Sequence, residues 1–218
     1  MDQIVASKTA IITPPRMNML TITIQGTSPL LIAKFSAKAQ NKIKADQEAG
    51  AAAKTRKKRD ARNFEEDCAA SRHISAEGWD GINASAFRNA LIDACRAAGF
   101  VMTKAKLAVF CVAEGYDRED AAPLVRIIGD EPEMTIIPCR NSNGSMDLRA
   151  RPRWNEWKMN VTLRHDLDIL SQDDIINLML RVGLQVGVGE GRPYGREGNG
   201  MGMGLFEIVS VRQHGERK

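Results

Sequence analysis

Residues 187–204, GVGEGRPYGREGNGMGMG, form the segment best suited to bind an anion. Eight of these eighteen residues are glycine. Glycine backbone comes close to a ligand because no side chain holds it away, and its amides can turn toward an anion. The candidate phosphate-binding residues here are Gly189, Gly191, Arg192, Tyr194 and Arg196. The alternative interpretation is a flexible connector. A dinucleotide fingerprint is excluded, since the segment follows a helix pattern and precedes a strand pattern.

A second candidate surface is the arginine–tryptophan segment DLRARPRWNEW, residues 147–157. In a strand, alternate side chains share one face, so Arg149, Arg151 and Arg153 would form a cationic row. Of Trp154 and Trp157, both candidate contacts, one would then stack on a base, which contributes roughly 1–3 kcal/mol per base without regard to base sequence, and the other is expected to be buried. The alternative is a strand with solvated arginines and buried tryptophans.

A third candidate is the basic run KTRKKRDAR, residues 54–62. Six of its nine residues are cationic: Lys54, Arg56, Lys57, Lys58, Arg59 and Arg62. Clustered charge binds phosphates without reading bases. A purely solvated charged surface is the equally weighted alternative.

Catalysis and metal binding have weaker support. The chain has three histidines, and only His73, which precedes the first predicted helix, stands where a general acid–base could act. No companion residue is placed with His73 by sequence spacing. The four cysteines are widely separated, which argues for reduced thiols and against a zinc site. We therefore expect no metal, no cofactor and no enzymatic activity.

Composition indicates a soluble, cytoplasmic globular protein. The chain of 218 residues is 43% hydrophobic and 27% charged, with a net charge of +4. No apolar run approaches the roughly 20 residues that span a bilayer, and the N-terminus lacks a secretory signal. We expect a flexible N-terminal arm over residues 1–16. One domain would follow over residues 17–218, with a mobile basic insertion at about 36–72.

The hydrophobic periodicity predicts an α+β fold. Strands are expected around residues 20–24, 74–79 (a short strand or a hairpin closed by Glu77 and Gly78), 105–112, 124–128, 134–140, 147–166 (one long strand or a bent pair) and 205–213. One helix should begin at Asn83 or Ser85 and end near Gly99, and another should be capped by Ser171 and end near Gly183. This order predicts a ferredoxin-like or RRM-like (βαββαβ) antiparallel sheet with helices on one face and inserted loops.

Three segments together resemble one family. They are GTSPLLIAKFS (residues 26–36), INASAFRNALIDACR (residues 82–96) and the glycine-rich segment running into the last strand, residues 186–208. This combination resembles the RAMP superfamily, the ferredoxin-like RNA-binding proteins of CRISPR effector complexes. It is most like the backbone subunit that polymerises along guide RNA, and like related uncharacterised phage and prophage proteins. The resemblance implies binding to RNA, with Arg88 among the contacts, and a filament-like or ring-shaped homo-oligomer.

These observations predict a non-sequence-specific protein that binds single-stranded RNA or DNA and oligomerises along the strand. Two alternatives remain open. One is a metal-independent endoribonuclease of the same superfamily that uses His73. The other is a protein-interaction or assembly factor of a phage or mobile element.

Overall fold

The described strands and helices are arranged as three antiparallel sheets and five α-helices. The structure, a computed structural model, describes residues 12–35, 37–50, 62–140, 144–195 and 200–214. In these residues the elements are, in chain order, β1 (Met17–Gly26), β2 (Leu30–Leu31), α1 (Ala37–Ala49), α2 (Phe64–Ala69), β3 (His73–Ile74), β4 (Asp80–Asn83), α3 (Ser85–Ala97), α4 (Met102–Ala108), β5 (Val109–Val112), β6 (Gly115–Tyr116), β7 (Pro123–Arg126), β8 (Glu133–Arg140), β9 (Met146–Trp154), β10 (Lys158–Asp166), α5 (Gln172–Arg181), a π-helical turn (Val182–Val186) and β11 (Phe206–His214).

The main sheet has the strand order β11-β1-β10-β5, and every pairing in it is antiparallel. β1 leads through α3 to β5, and β10 leads through α5 to β11, and each connection passes over one strand. A second sheet has the order β2-β9-β8, and a third has the order β3-β4-β7-β6. The prediction of a mixed α+β fold with antiparallel sheets and few helices is confirmed.

The core lies between one face of the main sheet and helices α3 and α5. Period-two alternation puts the apolar residues of β1 and β10 on this face, and all are fully buried: Leu20, Ile22, Ile24, Met159, Val161 and Leu163. Phe87 of α3 and Phe206 of β11 meet edge to face, with ring centroids 6.5 Å apart. On the opposite face polar side chains pair across the strands, as in the 2.8 Å contact between Thr21 Oγ1 and Thr162 Oγ1.

Both core helices begin close to the predicted positions. Ser171 caps α5, and its side chain and that of Asp174 form a reciprocal capping box. At α3 the Asn83 side chain accepts a hydrogen bond from the Ser85 amide at 2.9 Å. α5 continues into the π-helical turn, where Gly183 lies against Phe206.

The predicted strand over residues 105–112 is wrong in its first half. Residues 102–108 form α4, and the strand begins only at Val109. The segment is rich in alanine and lysine, which favour helix. The buried Ala105 and Ala108 anchor its inner face, and Arg88 hydrogen-bonds the Lys106 carbonyl at 2.5 Å.

The predicted basic insertion contains two helices in its described part, α1 and α2. α2 is capped by Asn63, whose side chain accepts hydrogen bonds from the amides of Glu65 and Glu66. The core of the basic run, residues 54–59, lies outside the described residues, as do most of the predicted arm and most of the predicted turn at 141–144. Among the described helices, none is both long enough and apolar enough to cross a bilayer.

Candidate nucleic-acid interface

The two-residue strand β2 joins the arginine strand to the glycine-rich segment. On one side Leu30 and Leu31 pair with Trp154 and Arg153 of β9. On the other side the Leu31 carbonyl accepts a hydrogen bond from the amide of Glu190 at 2.8 Å. Two segments that were predicted separately are thereby held side by side.

An open cleft of about 610 Å³ lies where these segments meet. Five predicted site residues line it together: Arg149, Arg151, Gly189, Gly191 and Arg192. Lys34, His73, Cys139 and Glu190 also line it. Among the described residues, the lining therefore carries four cationic side chains and one carboxylate. Because Lys34 is already paired with two carboxylates inside the protein, the excess positive charge comes from the three arginines, which favours an anionic ligand.

The three cleft arginines are anchored in different ways. Arg151 pairs with Glu190 and also hydrogen-bonds the Ser71 hydroxyl at 3.2 Å. Arg192 donates to the carbonyls of Tyr194 and Gly189, and these hydrogen bonds stabilise the loop in which Arg192 lies. Arg149 lies near Asp147 at 3.8 Å, and 34% of its side-chain surface is exposed.

The tryptophan predictions need correction. Trp154 and Trp157 belong to the hydrophobic core and are only 3% and 2% exposed. Trp157 Nε1 donates to the Ser28 carbonyl at 2.8 Å, and its ring packs edge-on against Phe206. Neither ring offers a face to a base. The alternation of β9 explains this for Trp154, because neighbouring residues point to opposite faces and Trp154 follows Arg153.

Arg153 and Arg88 also lie away from the cleft lining. Arg153 faces Glu133 in the strand register, and its Nε is buried without a hydrogen-bond partner among the described residues. Arg88 donates to the Val109 carbonyl at 3.2 Å and lies over the Phe110 ring at 5.5 Å. These contacts hold Arg88 against the first residues of β5, so its role in the structure is to position that strand.

Arg62 and Tyr194 occupy the surface outside the lining. Arg62 forms ion pairs with Asp67 at 2.7 Å and with Asp147 at 2.8 Å. The Tyr194 hydroxyl accepts a hydrogen bond from Arg96 at 2.9 Å. The remaining predicted contacts lie outside the described residues: Lys54, Arg56, Lys57, Lys58, Arg59 and Arg196.

The described parts of the glycine-rich segment are tied to the body of the protein. Val188 and Gly204 bond through their backbones, and the Gly204 amide also reaches the Pro29 carbonyl at 2.8 Å. Gly189 has φ +78°, and a Cβ there would overlap the Leu31 carbonyl. Glycine is therefore needed at position 189 because the loop backbone packs directly against the Leu31 carbonyl. The alternative of a flexible connector does not describe this part of the segment.

An ion-pair cluster centred on the buried Lys34 and Asp117 adjoins the cleft, and sequence reasoning missed it. Lys34 Nζ lies 2.7 Å from Asp117 Oδ1 and 2.9 Å from Glu119 Oε2. Burial alone would lower the pKa of Lys34, but the two carboxylates outweigh it and raise that pKa. Burial would likewise raise the pKa of Asp117, but hydrogen bonds from Lys34, the Glu119 amide and His73 hold it below its ordinary value. Both groups are therefore charged near neutral pH.

His73 joins this cluster through Asp117. Its Nδ1 lies 3.0 Å from Asp117 Oδ2, which orients the imidazole ring along the cleft wall. Because Asp117 is ionised and can only accept, Nδ1 carries the proton and Nε2 is the ring's basic nitrogen. His73, Asp117 and Asp120 could bring one ligand atom each within 4.8 Å of one another. The Lys34 ammonium already neutralises Asp117, so we assign no metal to them.

The comparisons with known proteins find a similarity in fold. The structure is similar to a chain in the cryo-EM structure of the type III-B Cmr-beta bound to cognate target RNA, with a TM-score of 0.50 and 11% sequence identity. The similarity covers 91% of this chain and 61% of that chain, so the present chain spans about three fifths of its length. No protein-family model and no curated protein matches the chain. The likeness agrees with the sequence resemblance at the level of the fold.

Proposed function

We propose that this protein binds single-stranded nucleic acid, RNA foremost, in the cleft between β9 and the glycine-rich segment. One observation carries the proposal: β2 holds Arg149, Arg151 and Arg192 around a single open cleft beside the loop backbone. Guanidinium groups match phosphate in geometry and charge. The RNA that the similar Cmr-beta structure contains is consistent with this choice of ligand.

We further propose that the main sheet has the ferredoxin-like topology. The order β11-β1-β10-β5 supports it, because renumbering these strands along the chain gives 4-1-3-2, with the core helix α3 in the first crossover and α5 in the second. The other two sheets are then insertions that build the cleft beside this sheet.

Sequence discrimination by this cleft is expected to be low. Its cationic groups are suited to the phosphate backbone, which carries no base identity. With both tryptophans buried, binding relies on charge more than on stacking. Assembly of several copies along one strand, which the family resemblance implies, is part of the proposal.

Fluorescence anisotropy on nuclease-treated protein tests the binding. Labelled single-stranded RNA, single-stranded DNA and duplex are titrated at low and at moderate salt. Because phosphate neutralisation releases counterions, we expect binding to a single strand that weakens steeply with salt. Absence of binding to all three at low salt would overturn the proposal and favour a protein-interaction or assembly function.

A second candidate function is metal-independent cleavage of RNA, and the pairing of His73 with Asp117 favours it. Nε2 of His73 would take the proton of a ribose 2′-hydroxyl, and the 2′-oxygen would attack the neighbouring phosphorus. The bond from phosphorus to the 5′-oxygen would break, and that oxygen would take up a proton. The products would be a 2′,3′-cyclic phosphate and a 5′-hydroxyl.

Incubation of labelled single-stranded RNA with the protein in a chelator separates the two functions. An endoribonuclease would cut RNA but leave DNA of the same sequence intact. His73→Ala would abolish the cutting and retain RNA binding. RNA that stays intact with the wild-type protein would rule out this candidate and leave the binding proposal unchanged.

A further inference from the structure

Glu190 contributes the one carboxylate among the described residues that line the cleft. It lies between Gly189 and Gly191, and it pairs with Nε of Arg151. The second Arg151 contact, from Nη2 to the other carboxylate oxygen, is 3.5 Å long. The two side chains are only 18% and 13% exposed, so this pair is shielded more than an ordinary surface ion pair.

The position of Glu190 does not depend on this ion pair. Its amide is bound to the Leu31 carbonyl at 2.8 Å, and the Gly191 carbonyl accepts from the Met203 amide at 3.0 Å. Arg151 is likewise held from its other side, by the Ala150 carbonyl and the Ser71 hydroxyl. Both partners therefore keep their places when the carboxylate is replaced or displaced.

We propose that Glu190 is an internal competitor that occupies the phosphate position on Arg151 until a nucleic-acid strand displaces it. A carboxylate and a phosphate engage a guanidinium through the same pair of donors, so both cannot hold Arg151 fully at once. The thiol of Cys139, 3.9 Å from Glu190 Oε1, stays neutral because burial and the nearby Glu190 charge raise its pKa. Glu190 thus limits affinity, and it favours ligands with several linked phosphates over a single one.

This inference rests on the proposed function, and Glu190→Gln tests it in the same anisotropy assay. We expect the variant to bind single-stranded RNA about two- to fivefold more tightly, the range by which loss of one competing ion pair changes an equilibrium constant. Glu207→Gln is the matched control, since Glu207 is exposed on β11 and its loss removes the same charge away from the cleft. In an Arg151→Gln background, Glu190→Gln should give no further gain.

The outcomes separate the two proposals. If neither wild type nor Glu190→Gln binds any strand, the proposed function fails and this inference fails with it. If wild type binds and Glu190→Gln binds equally or more weakly, or if Glu207→Gln gains as much, only the inference about Glu190 is overturned. Glu190→Ala keeps the backbone bond to Leu31 and is expected to change affinity in the same direction. Thermal unfolding of each variant shows whether the fold is retained.

Discussion

At the scale of single residues, the buried polar groups of this protein fall into two kinds. Lys34 and Asp117 satisfy each other, so their charges are retained inside the protein. His165 is fully buried on β10, and within the part of the chain that the structure describes neither of its ring nitrogens has a hydrogen-bond partner. Burial disfavours its charged form and lowers its pKa, and nearby Asp166 only partly offsets this. Lys34 therefore stays charged when buried, while His165 stays neutral.

We predict that His165 makes the fold less stable in mild acid. In the unfolded chain an ordinary histidine takes up a proton below about pH 6.5, whereas the folded protein resists protonation at this site. The free energy of unfolding should therefore fall as the pH drops from about 7.5 to 5. Urea unfolding across this range should show a flatter pH dependence for His165→Leu than for wild type. His214→Gln, at an exposed histidine, is the control. An unchanged slope in His165→Leu would contradict the prediction.

At the scale of elements, the glycine-rich segment is shaped by contacts with its own protein. Gly204 has φ +69°, and a Cβ there would overlap the Val188 carbonyl. Gly202 has φ +73°, but a Cβ there would have nothing within 4 Å. The two positions share a backbone conformation and differ in the space around them.

Alanine substitutions at these two glycines should therefore differ in cost. Gly202→Ala bears only the left-handed backbone penalty, roughly 1–2 kcal/mol. Gly204→Ala must also move the backbone that bonds it to Val188 and Pro29, and we expect it to be more destabilising by about 1–3 kcal/mol. Chemical denaturation of both variants measures the difference. Equal losses of unfolding free energy in the two variants would show that the backbone at Gly204 moves at little cost and is not anchored there.

Strands and helices with a regular hydrophobic pattern or a clear cap were predictable from the sequence. Contacts between residues far apart in the sequence were not. The alternation of Leu20, Ile22 and Ile24 predicted β1, and the Ser171 cap predicted α5. β2 has two residues, too short for any periodicity, although it positions the cleft. The pairing of His73 with Asp117 joins residues 44 positions apart, so no local spacing in the sequence predicts it. The burial of Trp154 was available from its alternation with Arg153, and the alternative of buried tryptophans is the one that the structure supports.

At the scale of the whole molecule, the two smaller sheets lie beside the main antiparallel sheet, and the proposed function puts a single nucleic-acid strand in the cleft they line. If copies assemble along that strand, as proposed, the mass of the complex should rise stepwise with strand length. Sedimentation velocity with single-stranded RNA of increasing length measures this, and the protein alone is the control. One copy bound at every length would contradict assembly and leave the cleft proposal standing.

The most direct test of the central claim compares Arg149→Glu with Arg212→Glu for affinity to single-stranded RNA. Arg149 lines the cleft, whereas Arg212 is exposed on the edge strand β11, so the two variants change net charge equally at different places. We expect Arg149→Glu to weaken binding for every RNA sequence and to reduce the salt slope by about one, while Arg212→Glu stays close to wild type. Equal losses in both variants, or wild-type affinity in Arg149→Glu, would show that the strand does not lie in this cleft.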